Sequence, residues 1–133
     1  SENDDERSQA IEAMKVFESK NEIASDKFGE TFNGLLERLK DDIQQIRINA
    51  AIIITNLIVK HQNEEGLINE KLSEIVLSID DESNEIRNAI KELILTVSKV
   101  DKFKAVILDI LKKQQNYHQE AEEICKQIIS VLE

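Results

Sequence analysis

The sequence predicts an all-α protein of about seven helices, and three observations lead there. Proline is absent and Ile, Leu, Glu and Lys are abundant, with 41% hydrophobic and 33% charged residues, a helical and globular balance. Apolar residues recur three and four positions apart, which aligns them on one face of a helix. The chain also repeats itself, because a shift of forty positions lays one long stretch onto another with apolar or identical residues in register.

The elements follow from that register. The N-terminal segment 1–20 is the second half of an incomplete unit, since Arg7, Ala10, Met14 and Phe17 match Arg47, Ala50, Ile54 and Leu57 at a distance of forty. The first full unit, 26–62, has a first helix over about 26–40, carrying Phe28, Phe32, Leu35, Leu36 and Leu39, and a second over about 42–61. In the second unit, 63–100, Ile68, Leu72, Ile75, Val76 and Ile79 take the same places, and the helices run over about 64–79 and 82–100. Asp41, Ile46, Arg47 and Ile54 fall on Asp81, Ile86, Arg87 and Ile94 with identical residues. A degenerate third unit, 101–133, follows at a shift of thirty-five, with Phe103, Ile107, Ile110 and Leu111 in the first helix. Its second helix is expected from near Asn116, with Asn116 in the Asp81 place and Glu122 in the Arg87 place. All of this fits one domain, 1–133. The turn pairs Asp41-Asp42 and Asp80-Asp81 are suited to accept backbone N–H bonds at a helix start, where the dipole also favours negative charge. By propensity alone the β-branched run Ala51 to Val59 reads as a strand, but its repeat partner carries charges that break a strand's alternation. Both segments are therefore expected to be helical.

A period of forty, two amphipathic helices per unit, a turn Asp and an Arg six positions later resemble the HEAT repeat of the armadillo-like helical-repeat class. The resemblance implies a right-handed α-α superhelix, a short solenoid. Asp41 with Arg47 and Asp81 with Arg87 match the family's structural ladder in residue type and spacing. The Pro often found in the family's first helix is missing, and the third unit lacks the Asp and Arg, which suits a terminal repeat. The chain starts without Met and stops at Leu132-Glu133, as a piece of a longer array would.

Enzymatic chemistry has little to work with, and no catalytic, metal or cofactor residue is assigned. His61 and His118 fall near helix ends with no second His or Cys at ligand spacing, and are expected to be solvated turn residues. Cys125 lies in the column of Ala10, Ala50 and Ile90 and is expected to pack as a small hydrophobe. Tyr117 is expected to cover the end of the stack. Gly29, Gly34 and Gly66 form no phosphate loop and read as packing or cap glycines. Acidic residues outnumber basic ones 27 to 17, a net charge of -10 that opposes nucleic acid. The local basic stretch, Lys99, Lys102, Lys104, Lys112 and Lys113, has no interleaved aromatics for stacking on bases. Nothing in the sequence is long and apolar enough to cross a bilayer, one Cys argues against a disulfide framework, and the expected compartment is the cytoplasm.

What remains is a binding surface. In HEAT-like stacks the second helices line the concave face, and there the first unit stands out. Its non-core stripe is Ile48, Ile52, Thr55 and Val59, where the second unit has Asn88, Glu92, Leu95 and Lys99. Two readings are open: curvature buries the stripe, or the stripe is an exposed groove for an amphipathic helix or a second copy of the chain. The function expected is a non-enzymatic interaction or scaffold module. Its partner-binding residues would be Ile48, Ile52, Thr55, Val59, Glu92 and Leu95, and its acidic surroundings would favour a basic or amphipathic protein segment. The alternatives are an architectural segment of a larger helical-repeat scaffold and, with least support, a small-ligand carrier or enzyme.

Overall fold

The computed structural model describes residues 2–20, 24–113 and 116–133; Ser1, the start of the expected half unit, lies outside them. Among the described residues there are seven α-helices and no strand. They are α1 (Glu2–Lys20), α2 (Phe28–Arg38), α3 (Gln44–Lys60), α4 (Glu65–Leu77), α5 (Asn84–Val97), α6 (Asp101–Lys113) and α7 (Gln119–Leu132). Single 3₁₀ turns at Ser25–Lys27 and Ser78–Asp80 lead into α2 and follow α4. The β-branched run is helical throughout α3. A β-branched residue gives up only a few tenths of a kcal/mol of helix propensity, which burial of one side chain outweighs several-fold.

The chain divides into two compact units, Ser1–Glu64 and Glu65–Glu133. In the first, α1 lies along α3 and α2 packs against α3. Phe28, Phe32 and Leu35 of α2 and Ile46, Ile53, Ile54 and Leu57 of α3 are essentially solvent-free. The rings of Phe28 and Phe32 stack with centroids 5.1 Å apart. In the second unit α4 packs on α6, α5 on α7, and α6 against α7. Here Ile68, Leu72 and Ile75, Ile90 and Ile94, Phe103 and Ile107, and Ile128 are buried.

The two complete repeats turn in the same way. Asp41 Oδ1 accepts the backbone N–H of Ile43 at 3.0 Å, and Asp81 Oδ1 accepts that of Ser83 at 2.9 Å. Arg47 then donates through Nη1 to the backbone carbonyl of Asp41 at 2.7 Å, and Arg87 to that of Asp81 at 2.9 Å. Each Arg sits one turn into its helix, so its long fork reaches back over the helix start and satisfies a carbonyl of the turn.

Four expectations are corrected. The last helix starts at Gln119, not near Asn116, because Asn116 adopts a left-handed φ of 70°, which Asn tolerates better than most residues and which a helix cannot contain. Asp80 does not cap its own helix: it accepts the backbone N–H of His118 at 3.1 Å and meets the His118 ring, holding the start of α7. His118 is consequently an anchored residue. His61 is buried at the end of α3 with its ring 5.2 Å from that of Phe28, so it is a core side chain and not a solvated one. Finally, Gly34 and Gly66 neither pack nor cap, since a Cβ at either would meet nothing within 4 Å.

Candidate functional site

The second helix of the first unit is held from one side by three polar ties to α1, spaced along its length. At the first, Arg7 donates through Nε to Asp41 Oδ2 at 2.9 Å while Arg38 donates to the same oxygen at 3.1 Å. The Asp41 side chain is 3% exposed. Burial works against its charged form, but the bonds from Arg7 and Ile43 and the nearby guanidiniums outweigh it and hold the carboxyl below its ordinary value. The Arg7 guanidinium is shifted up in turn by its bonds to Asp41 and Asp4. At the second tie the buried amide of Asn49 donates to Glu12 at 2.7 Å and accepts from Lys15 at 3.1 Å and Gln45 at 3.2 Å. At the third, Lys60 Nζ lies 2.8 Å from the fully buried carboxylate of Glu18 and 2.7 Å from its backbone oxygen.

These ties and the α2 contact fix which face of α3 stays open. Ile46, Ala50, Ile53, Ile54 and Leu57 are buried, whereas Ile52 is 41% and Val59 40% exposed. Ile48 and Thr55 of the same stripe are half-buried, and the Thr55 hydroxyl is turned onto the backbone carbonyl of Ala51 at 2.7 Å. That bond spends the polar end of Thr55 on its own helix, leaving a methyl in the stripe. Ile52 and Val59 therefore meet solvent, while the rest of the stripe is partly covered. The corresponding positions of α1 are Ser8, Glu12, Lys15 and Ser19, so a polar helix borders the apolar one.

In the second unit Glu92 is exposed and Leu95 half-buried. Both line a separate recess of about 520 Å³ that also takes in Thr96, Lys99, Lys104 and Val131. Val131, at the end of α7, is 69% exposed. The lining thus combines the apolar Leu95 and Val131 with charged residues of both signs.

Residues with chemical potential are occupied otherwise. Burial pushes the Cys125 thiol up to about 11 and the Tyr117 hydroxyl up to about 12, so neither is a nucleophile near neutrality. Among the described residues no group of three or more His, Cys, Asp and Glu side chains could hold a metal ion, and no helix is long and apolar enough to cross a membrane. In the basic stretch, Lys113 pairs with Asp109 at 3.0 Å and Lys102 with Glu65 at 3.8 Å, and Lys102 lies over the Phe103 ring.

No family model, curated protein or solved structure matches this chain. Its site is therefore read from its own geometry. Sequence reasoning missed Asn49, Glu18 and Lys60 as ties between helices, because a buried polar pair leaves no periodic signature. It also matched Ala10, Met14 and Phe17 to core residues, whereas Ala10 is exposed, Met14 half-buried and Phe17 51% exposed.

Proposed function

We propose that this chain is a HEAT-like helical-repeat module that acts without catalysis, by binding a helical segment of a protein partner on its second-helix faces. The observation that carries the reading is the stripe on α3. A helix buried on its other sides leaves Ile52 and Val59 two-fifths exposed, one turn apart from the half-buried Ile48 and Thr55. Apolar side chains at intervals of three and four residues are what an amphipathic helix packs against. The net charge of -10 supports a basic or amphipathic segment, and Glu92 carries the same sign beside Leu95 in the second unit. The repeat reading is supported by the identical turn bonds at Asp41 and Asp81 and by helices that pack on the next but one, α1 on α3, α4 on α6 and α5 on α7.

The test is Ile52→Glu. On an exposed stripe the change costs the fold less than about 1 kcal/mol, so the variant melts cooperatively near the wild type while affinity capture from the native source loses the partner. A salt series on the captured complex should show weakening at high ionic strength. Equal capture by wild type and variant refutes the site, and a variant that no longer folds refutes the exposure.

A further inference from the structure

At the start of α5 the second unit holds a buried guanidinium that no carboxylate neutralises. Arg87 is 8% exposed and lies over the turn leading into its helix. Nη1 donates to the backbone carbonyl of Asp81 at 2.9 Å, and Nη2 is 3.5 Å from Asn84 Oδ1, the outer limit of a hydrogen bond. Its Nε is buried without a hydrogen-bond partner, and no acidic side chain among the described residues pairs with it. Arg7, which holds the same place in the register of forty, is bound by Asp41 Oδ2 at 2.9 Å. In the third unit Asn116 stands where that Asp would be, and the turn's own N–H, from His118, goes to Asp80 instead. Arg87 is one anion short.

One turn back from Arg87 is Ser83, where the first unit has Ile43. It caps α5, a helix of 14 residues, with its Oγ accepting the N–H of Ile86 at 3.4 Å. Ser19, Thr55, Ser78 and Ser98 donate their hydroxyls to backbone carbonyls three or four residues back. Ser83 instead turns its oxygen to the orphan N–H groups of a helix start, where those donors and the helix dipole favour an anion. It is half-buried in the non-helical stretch between the 3₁₀ turn and α5, beside the exposed Glu82 and Asn84.

We propose that Ser83 is a phosphorylation site whose phosphoserine supplies the anion that Arg87 lacks. In the transfer the bond from Ser83 Oγ to phosphorus forms as the bond from the γ-phosphorus of ATP to the ADP oxygen breaks, and the hydroxyl proton passes to the base of the protein kinase. The phosphate places a charge of about -1.5 to -2 and several acceptor oxygens one turn from the Arg87 fork. Asp80, Asp81 and Glu82, just before the serine, suit a kinase with a basic substrate groove. The same residues oppose the phosphate once it is attached: Asp81 Oδ1 is 2.9 Å from the Ser83 nitrogen, and Glu85 follows two residues on. Arg87 and the helix start decide the balance. The site does not depend on the α3 stripe.

Two preparations of the full chain test this. In the first, the folded chain is incubated with ATP and a casein kinase that reads carboxylates before its serine, and the product is mapped by mass spectrometry. Phosphate is expected on Ser83, and Ser83→Ala should remove it. In the second, phosphoserine is encoded at position 83 and its phosphorus resonance is titrated. Beside Arg87 the second ionisation should fall about one unit below the value of about 6 of a free phosphoserine. In Arg87→Gln it should rise above that value, because Asp81, Glu82 and Glu85 then face the phosphate unopposed. The melting temperature should accordingly rise on phosphorylation of the wild type and fall on phosphorylation of Arg87→Gln, a reversal that loss of packing alone does not produce. The wild-type titration is decisive even where Arg87→Gln does not fold. A folded chain that takes no phosphate on Ser83 overturns the proposal, as does a wild-type ionisation at or above that of free phosphoserine.

Discussion

Removing the Asp41 carboxylate is the sharpest perturbation of the first unit, because one side chain serves three donors. It accepts from Arg7 at 2.9 Å, from Arg38 at 3.1 Å and from the Ile43 backbone N–H at 3.0 Å, with its own side chain 3% exposed. Deleting one member of a fully buried ion pair costs about 3–5 kcal/mol. Here the cationic partners are about one-third exposed and regain water, which places the ionic loss at the low end or below it. Loss of the acceptor at the turn adds about 1 kcal/mol, as for a helix cap. Asp41→Ala should therefore destabilise by about 3 kcal/mol, and Asp41→Asn, which keeps an acceptor for Ile43 but not the charge, by about half of that. The wild-type advantage should also depend on pH in one direction. The folded carboxyl titrates below its unfolded value of about 3.9, so the folded chain holds fewer protons between the two. The stabilisation is then complete above about pH 4 and disappears as pH falls through the folded value. Urea unfolding followed by circular dichroism at pH 7 and pH 2 measures both effects, and hydrogen exchange of α1 amides locates them. Asp41→Ala within about 0.5 kcal/mol of wild type at pH 7, or a wild-type to Asp41→Asn gap that does not close in acid, would refute the reasoning.

Asn49→Ala should cost about 1–2 kcal/mol, because it strips the amide that joins Glu12, Lys15 and Gln45, and those side chains can return to water; the same urea melts measure it. Cys125, buried and with its thiol pushed up to about 11, should resist an aromatic disulfide reagent at pH 8, where only about one molecule in a thousand is thiolate, and react fully once urea unfolds the chain. Fast reaction in the native state would contradict its burial.

The sequence by itself determined the helical class, the repeat and nearly every core residue. Phe28, Phe32 and Leu35 repeat as Ile68, Leu72 and Ile75, and all six are buried. A helix face is a local property, set by spacing, so a single sequence displays it. The duplicated turn was legible for the same reason, since Asp41 with Arg47 and Asp81 with Arg87 act over only six residues. Tertiary structure decided what lies between elements. Whether Ile52 and Val59 meet solvent depends on how α1 and α2 divide the surface of α3, and no spacing within α3 reports that. The same holds for His61, drawn into the core by Phe28, and for Asp80, taken from its own helix by His118 at a separation of 38 residues. A groove lined by Ala10 and Met14 of α1 and by Thr31 and Gly34 of α2 follows the same rule, since its walls come from two helices and no spacing within either reports it.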